Sequence, residues 1–284
     1  MHMRAASLLI TVALCLGICS SWAIAQTATS QITGVVTDPT GAVVPGAAVA
    51  AINEATGVAI HQTTTGAGVF QFSAVPPGRY TLTIEATGFK SEKRTGIVVE
   101  VGTPATVNIG LQVGGSTETV EVTAAPVTLN TNNATLGQVI TTQAVDKLPL
   151  NGRNPLMLVT LQAGVVQTTS GSINVNGGRS VATNVTIDGI EANESSAPNF
   201  TKNLYGLNPD NVQEFKVTTS NPDAQEGRNS GANVSIATRS GTNEFHGSVY
   251  EFFRNTDLNA ANFWDNAQGN EKQQIHMNQY GFNL

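Results

Sequence analysis

Between residue 31 and about residue 112 the chain is interrupted every few residues by a turn signal, and the pieces between are too short for helices. Residues 32–37 lead into Asp38-Pro39-Thr40-Gly41, with Asp at i, Pro at i+1 and Gly at i+3 of a type I turn. Strand-like runs follow at 47–53, 58–63 and 69–73, separated by Gly57 and Gly66. Val75-Pro76-Pro77-Gly78 is a firm break. After it Tyr80, Leu82 and Ile84 alternate with Thr81, Thr83 and Glu85, the period of a half-buried strand. Runs at 97–101 and 105–111 bring the total to about seven strands in roughly 80 residues. This stretch is expected to fold as a small antiparallel two-sheet sandwich.

Composition removes several functional classes. The chain has 284 residues, with 14 Lys+Arg against 20 Asp+Glu and a net charge of −6. That balance argues against nucleic acid, which needs a basic surface. Cys15 and Cys19 are the only cysteines, so the chain beyond residue 20 has no disulfide framework, thiolate zinc site or cysteine nucleophile. His2, His61, His246 and His276 are not at ligand spacing, and no H-E-x-x-H, G-x-S-x-G, P-loop or G-x-G-x-x-G motif is present. No catalytic residue, metal or cofactor is expected, and the chain is read as a non-enzyme. Its length favours two domains over one.

The first 25 residues read as a secretory signal peptide. Arg4 precedes the apolar run 8–18, and Ala23-Ile24-Ala25 followed by Gln26 places cleavage between Ala25 and Gln26. The competing lipoprotein signal ending at Cys19 is disfavoured by the bulky Ile18. No later run approaches the ~18 apolar residues of a spanning helix, so any membrane passage must be made by strands.

Thr33-Gly34-Val35-Val36-Thr37-Asp38, Gly46-Ala47-Ala48-Val49, Phe70, Val75-Pro76-Pro77-Gly78-Arg79-Tyr80 and Ala86-Thr87-Gly88-Phe89 together resemble the carboxypeptidase regulatory-like domain over residues 30–112. The resemblance implies a non-catalytic accessory fold, an immunoglobulin/transthyretin-like β-sandwich related in shape to carbohydrate-binding sandwiches. Pro76, Gly78 and Tyr80 are read as turn and core rather than as ligand contacts.

Beyond residue 113 the alternation becomes less regular. Glu118-Thr119-Val120-Glu121-Val122-Thr123-Ala124 is a short β-prone run after Gly114-Gly115. Residues 142–148 suggest one or two helical turns. Asn154 and Pro155 form an N-cap and N1 pair, with Leu156, Met157 and Leu161 apolar behind them and Gly164 as a stop. Residues 173–176 and 184–187 look like strands paired around Gly177-Gly178-Arg179, and Asp188-Gly189 is a tight turn.

Leu148-Pro149-Leu150-Asn151-Gly152-Arg153-Asn154, Val175-Asn176-Gly177-Gly178-Arg179, Thr186-Ile187-Asp188-Gly189 and Val212-Gln213-Glu214-Phe215-Lys216-Val217 occur in this order. Ala224-Gln225-Glu226-Gly227-Arg228 and the stretch 237–248 continue the series. Together these pieces resemble the plug domain of TonB-dependent outer-membrane receptors of the Oar-like group, over residues 115–240. The resemblance implies an α+β plug inside a β-barrel, and a short box that pairs with the periplasmic protein TonB by strand addition. Glu118, Thr119, Val120, Glu121, Val122, Thr123 and Ala124 are the candidate box. The same run also reads as an ordinary first strand of the plug, and residues 26–31 are a third option. Arg153, Arg179, Asp188 with Gly189, Glu214, Arg228 and Arg239 are candidate latch or gating positions, as plug–barrel pairs broken on opening. They read equally as solvated turn residues.

From Phe245 the composition shifts again. Phe245, Tyr250, Phe252, Phe253, Phe263, Trp264, Tyr280 and Phe282 are half of the chain's aromatics. Strand-like runs at 245–254 and 279–284, with these aromatics, have the character of an outer-membrane barrel over 243–284. The expected fold class is mainly β: sandwich, α+β plug, and the first strands of a truncated outer-membrane β-barrel.

The expected function is that of the N-terminal part of a TonB-dependent receptor, gating energised uptake of a siderophore, glycan or peptide across the outer membrane. Sandwich and plug would lie on the periplasmic side. The expected partners are TonB, outer-membrane lipid and a small solute, with no nucleic acid. A few strands cannot close a barrel, so the chain is expected to be a fragment that forms no pore. The alternative is a secreted or cell-surface β-sandwich binding module with a carbohydrate-binding-like fold. Peptidase activity is not expected, because neither a metal-binding His/Glu set nor a nucleophile is visible.

Overall fold

A computed structural model describes residues 28–115, 119–123, 134–148, 150, 153–168, 172–193, 207–224, 226 and 229–284. The strands are β1 (Ser30–Thr37), β2 (Ala48–Asn53), β3 (Ala59–Thr63), β4 (Val69–Val75), β5 (Gly78–Glu85), β6 (Ser91–Val99), β7 (Ala105–Thr106), β8 (Ile109–Gly110) and β9 (Thr119–Thr123). They form two facing sheets. One has the order β4-β1-β7, with β8 also paired to β1, and the other runs β3-β2-β5-β6-β9. The core between them holds Ile32, Val36, Phe70, Leu82, Ile84 and Ile109. Phe70 and Phe72 meet edge to face, with centroids 6.1 Å apart.

Local chemistry explains why these residues take these places. Gly41 N–H donates to the Asp38 carbonyl at 3.0 Å, which closes the turn expected there. Gly34 allows a close approach that no other residue permits: a Cβ there would lie 1.9 Å from the Val107 carbonyl oxygen. Tyr80 is buried in the core, and its hydroxyl donates to the Pro76 carbonyl at 3.0 Å.

Three features differ from the sequence reading. The sandwich is not purely antiparallel, because β1 pairs in parallel with β7 and β8. β6 begins at Ser91, well before the apolar stretch that signals it, because its polar first half pairs with β5. The run at 119–123 does not open the second domain. It is the fifth strand of the sandwich sheet, parallel to β6.

A second sheet follows, built from β10 (Leu136–Ile140), β13 (Asn184–Ile187), β14 (Ile190–Glu191), β15 (Val212–Ser220) and β16 (Asn233–Thr238) in the order β10-β15-β16-β13-β14. Helix α1 (Thr142–Lys147) and a 3-10 helix at Pro155–Leu161 accompany it. Asn154 caps the latter as expected, its side chain accepting the Leu156 N–H at 3.0 Å. A separate hairpin joins β11 (Val165–Gln167) to β12 (Ile173–Val175). This overturns the expected pairing of 173–176 with 184–187: β12 pairs with β11, while β13 pairs with β14 and β16. The core contains Val145, Leu156, Ile173, Phe215, Val217 and Ile236.

The sandwich and this sheet, through Arg239, belong to one compact unit; a second holds Ser240–Leu284 with Ala55–Gly57. Within the second, β17 (Ser248–Asn255) and β18 (His276–Asn283) form an antiparallel hairpin from Ser248↔Asn283 to Asn255↔His276. Helix α2 (Phe263–Ala267) lies between them in sequence. Val249, Phe253, Tyr280 and Phe282 share one exposed hairpin face by this register. Among the described residues no helix is long and apolar enough to cross a membrane.

Candidate functional site

The chemistry of the larger unit concentrates on β15, the strand between β10 and β16. Its alternation Glu214-Phe215-Lys216-Val217-Thr218 puts Phe215 and Val217 into the core, and the opposite face would ordinarily meet solvent. Here that face is buried as well, since Glu214, Lys216 and Thr218 are all nearly inaccessible. The turn after β6 covers it. Glu214 accepts the Val101 N–H at 2.5 Å, and Lys216 Nζ donates to the Gly102 carbonyl at 2.6 Å. Beside them Gln213 Nε2 donates to the Pro77 carbonyl at 3.4 Å.

One carboxylate and one ammonium, two residues apart, thus grip the backbone of a single turn. Burial pushes the Glu214 carboxyl up to about 7; the Val101 N–H opposes the shift and the nearby Glu100 carboxylate adds to it. Burial pushes the Lys216 ammonium down, against the pull of the Glu226 and Asp223 carboxylates. Thr218 Oγ1 donates to Glu226 Oε1 at 3.3 Å. A cleft beside the grip is lined by Thr29, Gly102, Glu226, Asn233 and Ser235 among others.

The other singled-out charges lie elsewhere on the sheet. Arg153 forms an ion pair with Asp210 and donates to Asn208 Oδ1 at 3.3 Å. Asp188, in the left-handed region with Gly189, closes the β13–β14 turn and accepts the Thr238 N–H at 2.9 Å and its hydroxyl at 2.7 Å. Arg239 reaches Asp146 at 2.8 Å and the Val212 carbonyl at 3.1 Å. The recorded partners of Arg153, Asp188 and Arg239 therefore lie within the same module. Arg179 is exposed at the start of a 3-10 turn. Arg228, Glu118, Ala124, Ala25 and Gln26 lie outside the described residues.

Of the candidate box, Thr119–Thr123 forms β9. It runs Ser91↔Thr119 to Thr95↔Thr123 against β6, and Lys93 Nζ lies 3.3 Å from Glu121 Oε1. Sequence reasoning missed Lys216, Asp146 and Asp210. The first sits two residues from Glu214 in an alternating strand, and that spacing was the available signal for a shared face. Among the described residues no group of three or more His, Cys, Asp or Glu is placed to hold a metal ion.

Residues 31–112 match the carboxypeptidase regulatory-like domain, and residues 237–284 match the outer membrane β-barrel domain. A stretch of 191 residues is 29% identical to the TonB-dependent transporter Oar of Myxococcus xanthus. The match covers 64% of this chain and 18% of that protein, so the chain spans only a small part of its relative. Among solved structures, the Bacillus anthracis TIE protein is 18% identical with a TM-score of 0.26, over 30% of this chain and 17% of that one. A minor pilin of Streptococcus agalactiae is 15% identical with a TM-score of 0.26, over 32% of this chain and 47% of that one. Likenesses this partial carry no argument. The sequence matches carry one: with a regulatory-like sandwich, an outer-membrane barrel domain and kinship to a TonB-dependent transporter, the chain is TonB-dependent receptor-like.

Proposed function

We propose that the chain is a portion of a TonB-dependent outer-membrane receptor in which residues 134–239 act as the plug. That plug gates energised uptake of a solute of the siderophore, glycan or peptide class, and no covalent chemistry is involved. The observation that carries the reading is order along one chain. A module with its own core and a five-stranded sheet lies between a regulatory-like sandwich and a barrel-type sequence, and the barrel match begins at residue 237, on β16 itself. A gate must be compact without spanning the membrane itself, and it must be held by contacts that can break. The Arg153–Asp210 and Arg239–Asp146 pairs and the Asp188–Thr238 bonds keep the module itself compact, and Glu214 and Lys216 fasten it to the turn after β6.

The β17–β18 face carries Val249, Phe253, Tyr280 and Phe282, the kind of side chains that the outward face of a barrel strand presents to lipid, with the exposed Glu251 among them opposite Tyr280. Thr119–Thr123 serves as the segment that TonB engages by strand addition. The leader at residues 1–25 directs export, and sandwich and plug face the periplasm.

Fractionation of the cells that make this protein tests the proposal. Recovery in detergent-extracted outer membrane is expected. Recovery in the soluble secreted pool would instead make the chain a β-sandwich binding module.

A further inference from the structure

We infer that the sandwich is a detachable clamp on β15. The turn between β6 and β7 lets go of Glu214 and Lys216 as one piece, while the cores on either side stay folded. The clamp does not depend on the receptor reading. Under that reading, it is the contact that must open before β15 can move within the gate.

The make-up of the contact carries the inference. The sandwich core and the core under β15 are separate clusters, and Val101, though buried, belongs to neither. The bonds that hold the turn are polar, from Val101 N–H to Glu214 and from Lys216 Nζ to the Gly102 carbonyl; beside them Gln213 holds the Pro77 carbonyl. A polar contact between modules with their own cores opens without unfolding either one. Water replaces each bond on opening, and both buried side chains recover hydration. The turn leaves with the sandwich, because Thr103 N–H donates to the Glu100 carbonyl at 3.2 Å and Ser30 Oγ on β1 donates to the Thr103 carbonyl at 2.6 Å. Gly102, at φ +58°, brings the turn close, since a Cβ there would lie 3.3 Å from Lys216 Cδ.

Charge sets when the clamp opens. Glu214 has the Glu100 carboxylate near it on the turn and Lys216 two residues along its own strand; Asp223 and Glu226 act on Lys216. Docked, the Glu214 carboxyl titrates near 7, and with the turn lifted it lies on an open strand face and returns to the ordinary 4.5. The docked state therefore holds this proton more tightly. Docking is strongest below pH 4.5 and weakens as pH rises through 7. Lys216 acts in the opposite sense, since burial favours its neutral amine.

Amide hydrogen exchange of the full chain in detergent tests the clamp, because the Val101 amide donates across the contact to a Glu214 oxygen. Its protection, taken relative to the unstructured rate at each pH, is expected to fall at least about tenfold from pH 5 to pH 8. The amides of Leu82 on β5 and Val234 on β16, each inside its own sheet, are expected to keep theirs. In Glu214→Gln the Val101 protection is expected to vary by less than about twofold over the same range. A parent in which Val101 protection ignores pH would overturn the inference, and that series needs no variant to fold. Loss of protection at Leu82 or Val234 together with Val101 would also overturn it, since opening would then be unfolding. A pH response kept by Glu214→Gln would overturn Glu214 as the group that releases the turn. None of these outcomes bears on where the protein fractionates, so the clamp and the receptor reading fail separately.

Discussion

β1 and β15 carry similar alternation and meet opposite fates. Along β1, buried residues alternate with half-buried ones from Ser30 to Thr37, as a one-sided strand should. Along β15, five consecutive residues from Glu214 to Thr218 are buried. The difference comes from what lies over the second face. β1 shares its sheet with β4, β7 and β8 and leaves its other face partly open, whereas β15 has the β6–β7 turn laid across Glu214 and Lys216. Alternation therefore reports which side chains are apolar, not which face is wet. A polar face becomes a docking face when its charges find backbone partners.

The comparison is sharpened most by Phe215→Ala. Phe215 is fully buried on the core face of the strand between β10 and β16, and its truncation leaves a cavity that cannot collapse around a covered strand. A loss of about 3–5 kcal/mol is expected. It should appear as a lower urea midpoint with an unchanged slope. A loss below about 1 kcal/mol would show that the two-sided burial of β15 contributes little to stability.

Glu214→Gln addresses the other face. The folded carboxyl titrates near 7 against an ordinary 4.5, so the folded protein holds this proton more tightly than the unfolded chain does. The stability contributed by the protonated group is complete below pH 4.5 and is lost as pH rises towards 7. The loss amounts to at most about 3.5 kcal/mol. Glutamine keeps an acceptor for the Val101 N–H and has no proton to lose. The variant is expected to match the parent near pH 5, exceed it at pH 8, and have a flatter profile in urea titrations across that range. A parent profile identical to that of the variant would mean that the turn does not seal Glu214 from water.

Much of the sandwich was legible because its signals are local. Asp38-Pro39-Thr40-Gly41 makes its turn, and the Tyr80, Leu82 and Ile84 alternation places three core residues. Asn154-Pro155 and Asp188-Gly189 are likewise local devices and take the expected forms. Pairing was not legible where it depends on distant partners. The strands at 173–175 and 184–187 are close in sequence, yet one pairs with β11 and the other with β16, because the β13–β16 ladder brings Asn184 to Asn233 across a long separation. The polar start of β6, Ser91-Glu92-Lys93-Arg94-Thr95, carries no apolar alternation and is a strand because β5 and β9 flank it. At the site, Glu214 was visible as an unusual charge beside Phe215. Its partner, the N–H of Val101, has no side-chain signature at all.

The smallest expected effect separates two lysines that sequence alone does not distinguish. Lys216 is nearly fully buried and donates to the Gly102 carbonyl, whereas Lys93 stands 44% exposed beside Glu121. Water screens the Lys93–Glu121 pair, and holding two long side chains together costs entropy, so such pairs are worth about 0–1 kcal/mol. Lys93→Gln is therefore expected to change unfolding stability by less than about 0.5 kcal/mol at physiological salt. The backbone ladder between β6 and β9 is untouched by the change, so β9 stays in place and Glu121 only gains exposure. A salt-independent loss above about 1 kcal/mol would mean that the pair is shielded as the Glu214–Lys216 grip is. Then β9 would be an integral strand of the sandwich core rather than a lightly held edge, and the contrast between the covered face of β15 and the open side chains of the sandwich edge would fail.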